Sequence, residues 1–207
     1  MIEYLIKICR TLSMDFSHGI MVGLSKCGKK IVVKLAAYLI SCEFHTIKDN
    51  VEMKEWNECL KIATKNTYKN KAPSILMIEH RQLITDQHFS DINTLLNTMY
   101  LPSIYSEADI EEMIFMTQIE LVRKNLPIDK NHMLQEFLPM LQKKLHLIIL
   151  MNHSFDSFSS NMSKYPAFKK YCNFFFMNPW PKEALSLVAN LEMSDLGYPL
   201  DFLPLIH

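Results

Sequence analysis

The stretch that most constrains how this chain can fold is Gly19–Lys30, which reads GIMVGLSKCGKK. A short apolar run ends at Gly23, four residues separate it from Gly28, and Lys29 follows at once. In the spacing G-x-x-x-x-G-K, glycines let backbone N–H groups curl around an anionic phosphate where a helix begins. We therefore predict a phosphate-binding loop whose nucleotide-contacting residues are Gly23, Ser25, Lys26, Cys27, Gly28, Lys29 and Lys30.

The last position of this loop departs from the usual pattern. It is normally Ser or Thr, whose hydroxyl holds Mg²⁺, but here it is Lys30. A cation therefore stands where a metal ligand is expected. We predict that the loop can hold the phosphates of ATP or ADP, that Mg²⁺ is a doubtful cofactor, and we assign no metal-ligating residues. The alternative is a Gly/Lys turn that joins a core strand to a helix and binds nothing.

Apolar runs and helical patterns alternate along the chain. Five runs fit strands, namely Gly19–Val22, Glu43–Ile47, Ser74–Ile78, Leu145–Met151 and Tyr171–Met177. Helical spacing predicts helices over residues 3–12, 29–41, 52–66, 88–97, 107–125 and 130–144, and a further helix opened by Pro181. Continuous apolar strands separated by helices are typical of a parallel sheet covered on both faces. We predict an α/β fold, the three-layer sandwich of P-loop NTPases with a five-stranded parallel sheet.

The same patterns assign several side chains to the core or to the surface. In the helix over 52–66, the residues expected on the buried side are Met53, Trp56, Leu60 and Ile62 or Ala63. The acidic residues expected on solvated helix faces are Asp91, Glu111 and Glu112. His146 lies within an apolar strand, so we expect a hydrogen-bonded core histidine there.

Composition excludes several classes of partner. The 22 basic and 22 acidic residues balance, and no lysine run indicates a nucleic-acid or membrane surface. The five cysteines are scattered without a C-x-x-C pair, which argues against zinc or a disulfide framework and favours a reducing compartment such as the cytoplasm. We find neither a signal peptide nor an apolar run long enough to cross a bilayer.

Several segments of the chain, in the order in which they occur, resemble one protein family. HGIMVGLSKCGKK with the following VVKLAAYLISCEFHTI is similar to the phosphate-loop region of axonemal-type dynein heavy chains, specifically their fourth AAA+ module. Three later segments resemble that module's acidic helix, its fourth strand, and its fifth strand with a Pro-Trp-Pro helix start: ITDQHFSDINTLLNTMYLPSIYSEADIEEM, LHLIILMNHSFDSF and YPAFKKYCNFFFMNPWPKEALSLVA. The resemblance covers about residues 3–193.

The resemblance implies a domain organisation and a setting. It makes residues 1–18 a lead-in helix, 19–193 an AAA+ large-subdomain-like P-loop module, and 194–207 a divergent tail that lacks the helical lid. It implies partners among other dynein heavy chain modules or dynein complex subunits, and a place in the cytoplasm, the cytoskeleton and the axoneme of a cilium. It also implies that this chain has no direct microtubule-binding domain, because no charged heptad stalk is seen.

Besides Lys30, two departures from the family and one candidate sensor residue concern the chemistry. His80 takes the position of the acidic residue that coordinates Mg²⁺ through water, and Glu79, one residue earlier, is expected to point to the opposite face of the strand. The alternative is that both are solvated strand-end residues. Asn152 follows the fourth strand, either as a sensor of the γ-phosphate or merely as the strand's end. Residues 159–166 contain Lys164 where the family has arginines.

The favoured interpretation is a degenerate AAA+ module with a structural or regulatory nucleotide-binding role in microtubule-based movement. We expect little or no ATP hydrolysis, because the metal-binding hydroxyl, the strand-end carboxylate and the arginines are all replaced. Two alternatives stay open. The chain could be an active P-loop ATPase that uses Glu79 as a displaced acid, or a protein-interaction fragment that binds no nucleotide.

Overall fold

The computed structural model describes residues 1–49, 52–152 and 163–195, with side chains as far as Leu191. The elements, in chain order, are α1 (Ile2–Leu12), β1 (His18–Gly23), α2 (Lys29–Ile40), β2 (Glu43–Thr46), α3 (Met53–Asn70), β3 (Ser74–Glu79), α4 (Asp86–Thr98), α5 (Glu107–Arg123), α6 (Lys130–Lys144), β4 (Leu145–Asn152), α7 (Ala167–Tyr171), β5 (Cys172–Phe176) and α8 (Lys182–Asp195). The predicted strands and helices are confirmed at nearly the same bounds. The sequence patterns missed the short α7, so β5 begins one residue later than predicted.

The chain divides into two compact units, Met1–Met177 and Asn178–His207. All five strands lie in the first unit. In the second unit the described element is α8, which begins directly after Pro181, a residue whose missing N–H costs nothing at a helix start. The predicted module boundary at residue 193 stays a prediction. In the part of the chain that the structure describes, no helix has the length and apolarity needed to span a membrane.

The five strands form one parallel sheet in the order β2-β3-β4-β1-β5. The register sets Gly23 opposite Asn152, and Glu79 opposite Leu150. Parallel strands end at the same edge of a sheet, so the carboxyl ends of β1, β3 and β4 converge. This is the edge at which open α/β folds place their ligands.

The central strands are buried on both faces, which explains why their sequences are continuous apolar runs. Alternate strand residues join a large apolar cluster with α3, α4 and α6: Ile20, Leu76, Ile78, Leu147 and Ile149. Their neighbours, which point to the opposite face, are buried as well: Met21, Ile75, Met77 and Ile148. There α2 packs against β4, and α1 packs against α2. Helices cover both faces of the sheet, as the three-layer prediction requires.

The buried stripe of α3 follows helical spacing more strictly than predicted. Trp56, Leu60 and Ala63 are fully buried, at intervals of four and three residues. Ile62 is exposed, because it lies only two residues from Leu60 and so falls on the other side of the helix. Met53, the first residue of the helix, is 37% exposed, and the prediction that it is buried is wrong.

Asp91 is buried, and the prediction that it lies on a solvated helix face is wrong. Its carboxylate accepts hydrogen bonds from Trp56 Nε1 at 3.1 Å and from Gln87 Nε2 at 2.7 Å. A buried indole needs a partner for its N–H, and the Asp91 carboxylate supplies it. A directional contact inside the apolar core therefore joins α3 to α4. Glu111 and Glu112 are exposed, as predicted.

Two histidines are buried where β1 and β4 begin. His146 Nδ1 lies 2.8 Å from the Ser17 carbonyl oxygen, which confirms the predicted hydrogen-bonded core histidine. His18 Nδ1 accepts the Leu147 backbone N–H at 3.1 Å. Burial lowers the pKa of both histidines, and it lowers that of His18 to about 3, with the nearby His146 as a smaller cause. Both side chains are therefore neutral in the folded chain at neutral pH.

We expect the free energy of unfolding to fall as the pH is lowered from about 7.5 to 5.5. The folded-state pKa of His18 and His146 lies below the unfolded value near 6.5, so the unfolded chain binds protons that the folded chain excludes. The stability that they contribute is complete above the unfolded pKa and is lost as the pH falls. His18, whose folded-state pKa is about 3, adds a slope of about 1.4 kcal/mol per pH unit below about pH 6, and His146 acts in the same direction; urea unfolding measures the sum.

The variant His18→Asn isolates one of these contributions. Asparagine keeps an acceptor for the Leu147 N–H but does not titrate. The stability difference between wild type and variant is therefore expected to shrink by about 1.4 kcal/mol per pH unit below about pH 6. Parallel pH profiles for the two proteins would contradict the assignment to His18.

Gly23→Ala is expected to lower the free energy of unfolding by about 1–3 kcal/mol, because a Cβ there would lie 3.0 Å from the Met177 carbonyl oxygen, a backbone atom. Gly19→Ala is the matched control. Its Cβ would meet side-chain atoms instead, Ile148 Cδ1 at 3.0 Å and Phe175 Cε2 at 3.1 Å. Urea unfolding should show the larger loss for Gly23→Ala, and equal losses would rule out this backbone contact as the cause.

Candidate functional site

A cavity of about 530 Å³ opens at the carboxyl edge of the sheet. It is lined by the loop after β1, the start of α2 and the ends of β3 and β4: Ser25, Lys26, Cys27, Gly28, Lys29, Lys30, Ile31, Glu79, His80, Arg81, Leu150 and Asn152. The structure thus brings together the residues singled out in the loop, at the end of β3 and at the end of β4. Gly23 is not in the lining, but it supplies a backbone carbonyl to Lys29.

The loop between β1 and α2 bends through two residues of positive φ. Lys26 has φ 62° and Gly28 has φ 90°, a left-handed conformation that glycine adopts at little cost. Helix α2 begins at Lys29, so its first backbone N–H groups, which lack intrahelical carbonyl partners, belong to the segment that lines the cavity. Together with the positive end of the helix dipole, these groups favour an anion there.

Lys29 is held in the loop by hydrogen bonds of its ammonium group. Its Nζ donates to the carbonyl oxygens of Gly23 at 2.8 Å and Leu24 at 2.7 Å, and it lies 3.5 Å from Asn152 Oδ1. The side chain is almost entirely enclosed, with the residue 8% exposed. The parallel register sets Asn152 beside Gly23, which explains how residues 123 positions apart in the chain meet.

Lys30 forms an ion pair with Glu79, whose carboxylate Oε1 lies 2.7 Å from Lys30 Nζ. The expectation that Glu79 points away from the loop is therefore wrong. The strand ends at Glu79, and a 3₁₀ turn over His80–Gln82 follows, in which Gln82 Oε1 accepts the Glu79 backbone N–H at 2.7 Å. Glu79 is the last residue of β3 and lies on the face of Ile75 and Met77, which is the face that α2 covers, so strand alternation itself directs it toward Lys30. His80 leaves the alternation because the 3₁₀ turn begins there, and it lines the cavity as well.

The second oxygen of Glu79 faces another cation. Arg81 Nη2 lies 3.0 Å from Glu79 Oε2, and Arg81 Nη1 lies 2.9 Å from Asp49 Oδ2. Glu79 is thus not a freely solvated strand end, since its side chain is 20% exposed and paired on both oxygens. The sequence reasoning missed Arg81, although a basic residue two positions after a strand-end carboxylate was a visible signal. Burial lowers the pKa of His80, so this histidine is neutral at neutral pH.

These residues do not fit Mg²⁺. The ion prefers oxygen ligands in near-octahedral geometry, but Lys30 replaces the hydroxyl and both oxygens of Glu79 are paired with cations. A neutral imidazole such as His80 is a poor ligand for so hard a cation. Within residues 1–49, 52–152 and 163–195, no group of three or more His, Cys, Asp and Glu side chains could hold a metal ion. Cations and backbone N–H groups make the cavity fit phosphate instead.

The other predicted features lie away from this cavity. Lys164 pairs with Asp86 in the first turn of α4, and it is not among the lining residues. Residues 159–162 of the segment that lacks arginines lie outside the described residues, as do residues 196–207 of the predicted tail.

The chain matches one family model and a set of similar proteins over most of its length. The model is described as the P-loop containing dynein motor region D4, and it matches residues 1–201. The chain is 27% identical to human dynein axonemal heavy chain 3 and 22% identical to mouse dynein axonemal heavy chain 1, in each case over 94% of this chain and 5% of the relative. It is 26% identical to human dynein axonemal heavy chain 10 over 95% of this chain and 4% of that protein.

The chain therefore spans only about 5% of the length of these curated relatives. Among solved structures, the Aeropyrum pernix ORC2 protein in its ADPNP-ADP complexes aligns over 93% of this chain and 50% of its own, with a TM-score of 0.48 and 10% identity. That similarity is too low to support any conclusion. The family match covers nearly the whole chain, and the parallel sheet with its phosphate loop is the P-loop α/β fold. This chain belongs to the family of P-loop dynein motor D4 regions, AAA+ modules of dynein heavy chains.

Proposed function

We propose that this chain is a nucleotide-binding AAA+ module of a dynein heavy chain, which holds ATP or ADP and hydrolyses ATP little or not at all. Its role in this proposal is structural or regulatory. One observation carries it: Lys30, at the position of the Mg²⁺-binding hydroxyl, forms an ion pair with the Glu79 carboxylate. Lys29 and the left-handed turn at Gly28, which would bind phosphate, are both present.

Phosphate binding is supported by the shape and charge of the loop. Gly28 adopts the left-handed conformation that lets the loop close, and Lys29 keeps its ammonium inside it. Lys26 adds a second, exposed cation to the lining of the cavity. A bound phosphate would receive charge-assisted hydrogen bonds from the ammonium in exchange for those that Lys29 now makes to neutral carbonyl groups.

Hydrolysis is opposed by the ion pairs of the Glu79 carboxylate in the cavity. Phosphoryl transfer needs a positioned water and a concentration of positive charge on the transferred group, usually organised by Mg²⁺. Among the lining residues that the structure describes, Glu79 is the only carboxylate, and Lys30 and Arg81 occupy its two oxygens. A carboxylate committed to two cations is not free to orient a water or to bind a metal.

We also propose a setting for the module. The relatives are named axonemal dynein heavy chains. On that basis we propose that the module serves microtubule-based movement, in the cytoskeleton of a ciliary axoneme or in the cytoplasm, against other heavy chain modules or dynein complex subunits. We propose that it does not itself contact the microtubule, a nucleic acid or a membrane. The balanced charge of the chain supports the last two points.

Lys29→Met is expected to weaken ATP and ADP binding by about 10- to 100-fold, because methionine keeps the side-chain length but removes the buried ammonium. Isothermal titration calorimetry on the purified chain measures the change. Lys34→Met is the matched control, since Lys34 lies on the same helix but is exposed and does not line the cavity. It should bind nucleotide as the wild type does.

Phosphate release from ATP, measured on the same proteins, is expected to stay at background for all of them. Release that is lost in Lys29→Met and kept in Lys34→Met would contradict the non-catalytic part of the proposal. Equal nucleotide affinity of wild type and Lys29→Met would contradict binding at this loop.

An active P-loop ATPase is the second candidate, favoured by the presence of the Glu79 carboxylate in the cavity. It requires measurable phosphate release that Glu79→Gln abolishes without weakening ATP binding.

A protein-interaction fragment is the third candidate, favoured by exposed apolar residues along one side of α2: Ile31, Leu35, Tyr38 and Leu39. It requires concentration-dependent association that a Tyr38→Ser and Leu39→Ser double variant removes, together with an absence of nucleotide binding.

A further inference from the structure

We infer that this site binds its nucleotide without Mg²⁺, with the Lys30 ammonium in the place of the metal. The inference rests on the proposed nucleotide binding and adds the form that is recognised, a metal-free nucleoside diphosphate or triphosphate. It follows from the misfit between Mg²⁺ and the residues at the carboxyl edge of the sheet.

The position of the Lys30 ammonium carries the inference. In the usual motif, Mg²⁺ is held by the hydroxyl of the last loop residue and by phosphate oxygens. Lys30 occupies that last position, and its Nζ lies 2.7 Å from Oε1 of Glu79, at the end of β3. An ammonium has three N–H donors, so one bond to Glu79 leaves two for phosphate oxygens. The Lys30 side chain is 46% exposed, which gives a ligand access to it.

The charges of the cavity match a bare polyphosphate. Lys26, Lys29, Lys30 and Arg81 line it, against the single carboxylate of Glu79 among the described lining residues. The phosphate chain of ADP or ATP carries several negative charges when no metal is bound, and these cations can neutralise them directly. A Mg²⁺ ion brought in with the nucleotide would cancel part of that negative charge.

A metal ion would also meet direct repulsion. It would stand next to the Lys30 ammonium, and like charges a few ångströms apart repel strongly in a partly enclosed site. Moving Lys30 aside to relieve this repulsion would break its ion pair with Glu79. Mg²⁺ therefore competes with the protein for the nucleotide, and the apparent affinity should be highest when the metal is chelated.

Titration calorimetry of the purified chain with ADP, once in EDTA and once in excess Mg²⁺, tests the inference. We expect wild-type protein to bind ADP more tightly in EDTA. Lys30→Ser restores the hydroxyl of the usual motif, and we expect it to lose about tenfold in metal-free affinity, about the effect of one charge-assisted hydrogen bond, and to bind better when Mg²⁺ is added. Lys34→Ser removes the same charge from an exposed position of α2 and should behave as the wild type.

Opposite metal dependences of wild type and Lys30→Ser would support the inference. Wild-type binding that requires Mg²⁺ would overturn it while leaving the proposed nucleotide binding intact. Failure of ADP and ATP to bind in either condition would overturn the proposed function as well. Should Lys30→Ser fail to fold by circular dichroism, Lys30→Gln keeps most of the side-chain length and a polar end without the charge. It should lose the metal-free affinity, and unchanged binding in EDTA would count against Lys30.

Discussion

The parallel register of β1, β4 and β3 is the constraint on which the site depends. It sets Gly23 beside Asn152, and it sets the end of β3 one strand further along the same edge. A slip of one residue in any of these strands would turn its apolar side chains from one helical layer to the other. Because the central strands are buried on both faces, such a slip would disrupt packing throughout the core. The apolar runs therefore hold the loop, the carboxylate and the amide in one place.

In the proposed binding mode, this chain differs from the usual motif in the source of positive charge: the Lys30 ammonium takes the place of Mg²⁺. A divalent metal ion neutralises phosphate and also binds water, whose proton it makes easier to remove. An ammonium group such as that of Lys30 neutralises charge and donates hydrogen bonds, but it has no coordination position for water. A site built this way can retain recognition of a polyphosphate after losing the means to cut it. In the proposed metal-free binding, Glu79 would serve recognition, because its carboxylate pairs with Lys30 and Arg81.

The sequence was sufficient where the signal is local and repeated. Continuous apolar runs predicted all five strands, and the glycine spacing predicted a loop at the end of β1 that lines a cavity. It was insufficient where a side chain is placed by something distant or by the end of a regular element. Asp91 is buried because it pairs with Trp56, 35 residues away, and no local pattern marks that pairing. His80 lines the cavity beside Glu79 because strand alternation ends with the 3₁₀ turn that begins at His80.

Lys29 stabilises its own loop through contacts that do not require a bound anion. Its ammonium bridges the carbonyl oxygens of Gly23 and Leu24, so the loop is cross-braced from within. An incoming phosphate must first replace these two carbonyl oxygens as the partner of the ammonium. This cost favours a modest affinity and rapid release of the ligand. A bound phosphate would then take the place of the carbonyl oxygens as the partner of the ammonium. In the proposed nucleotide-binding role, the ammonium would therefore hold the loop together with or without a ligand.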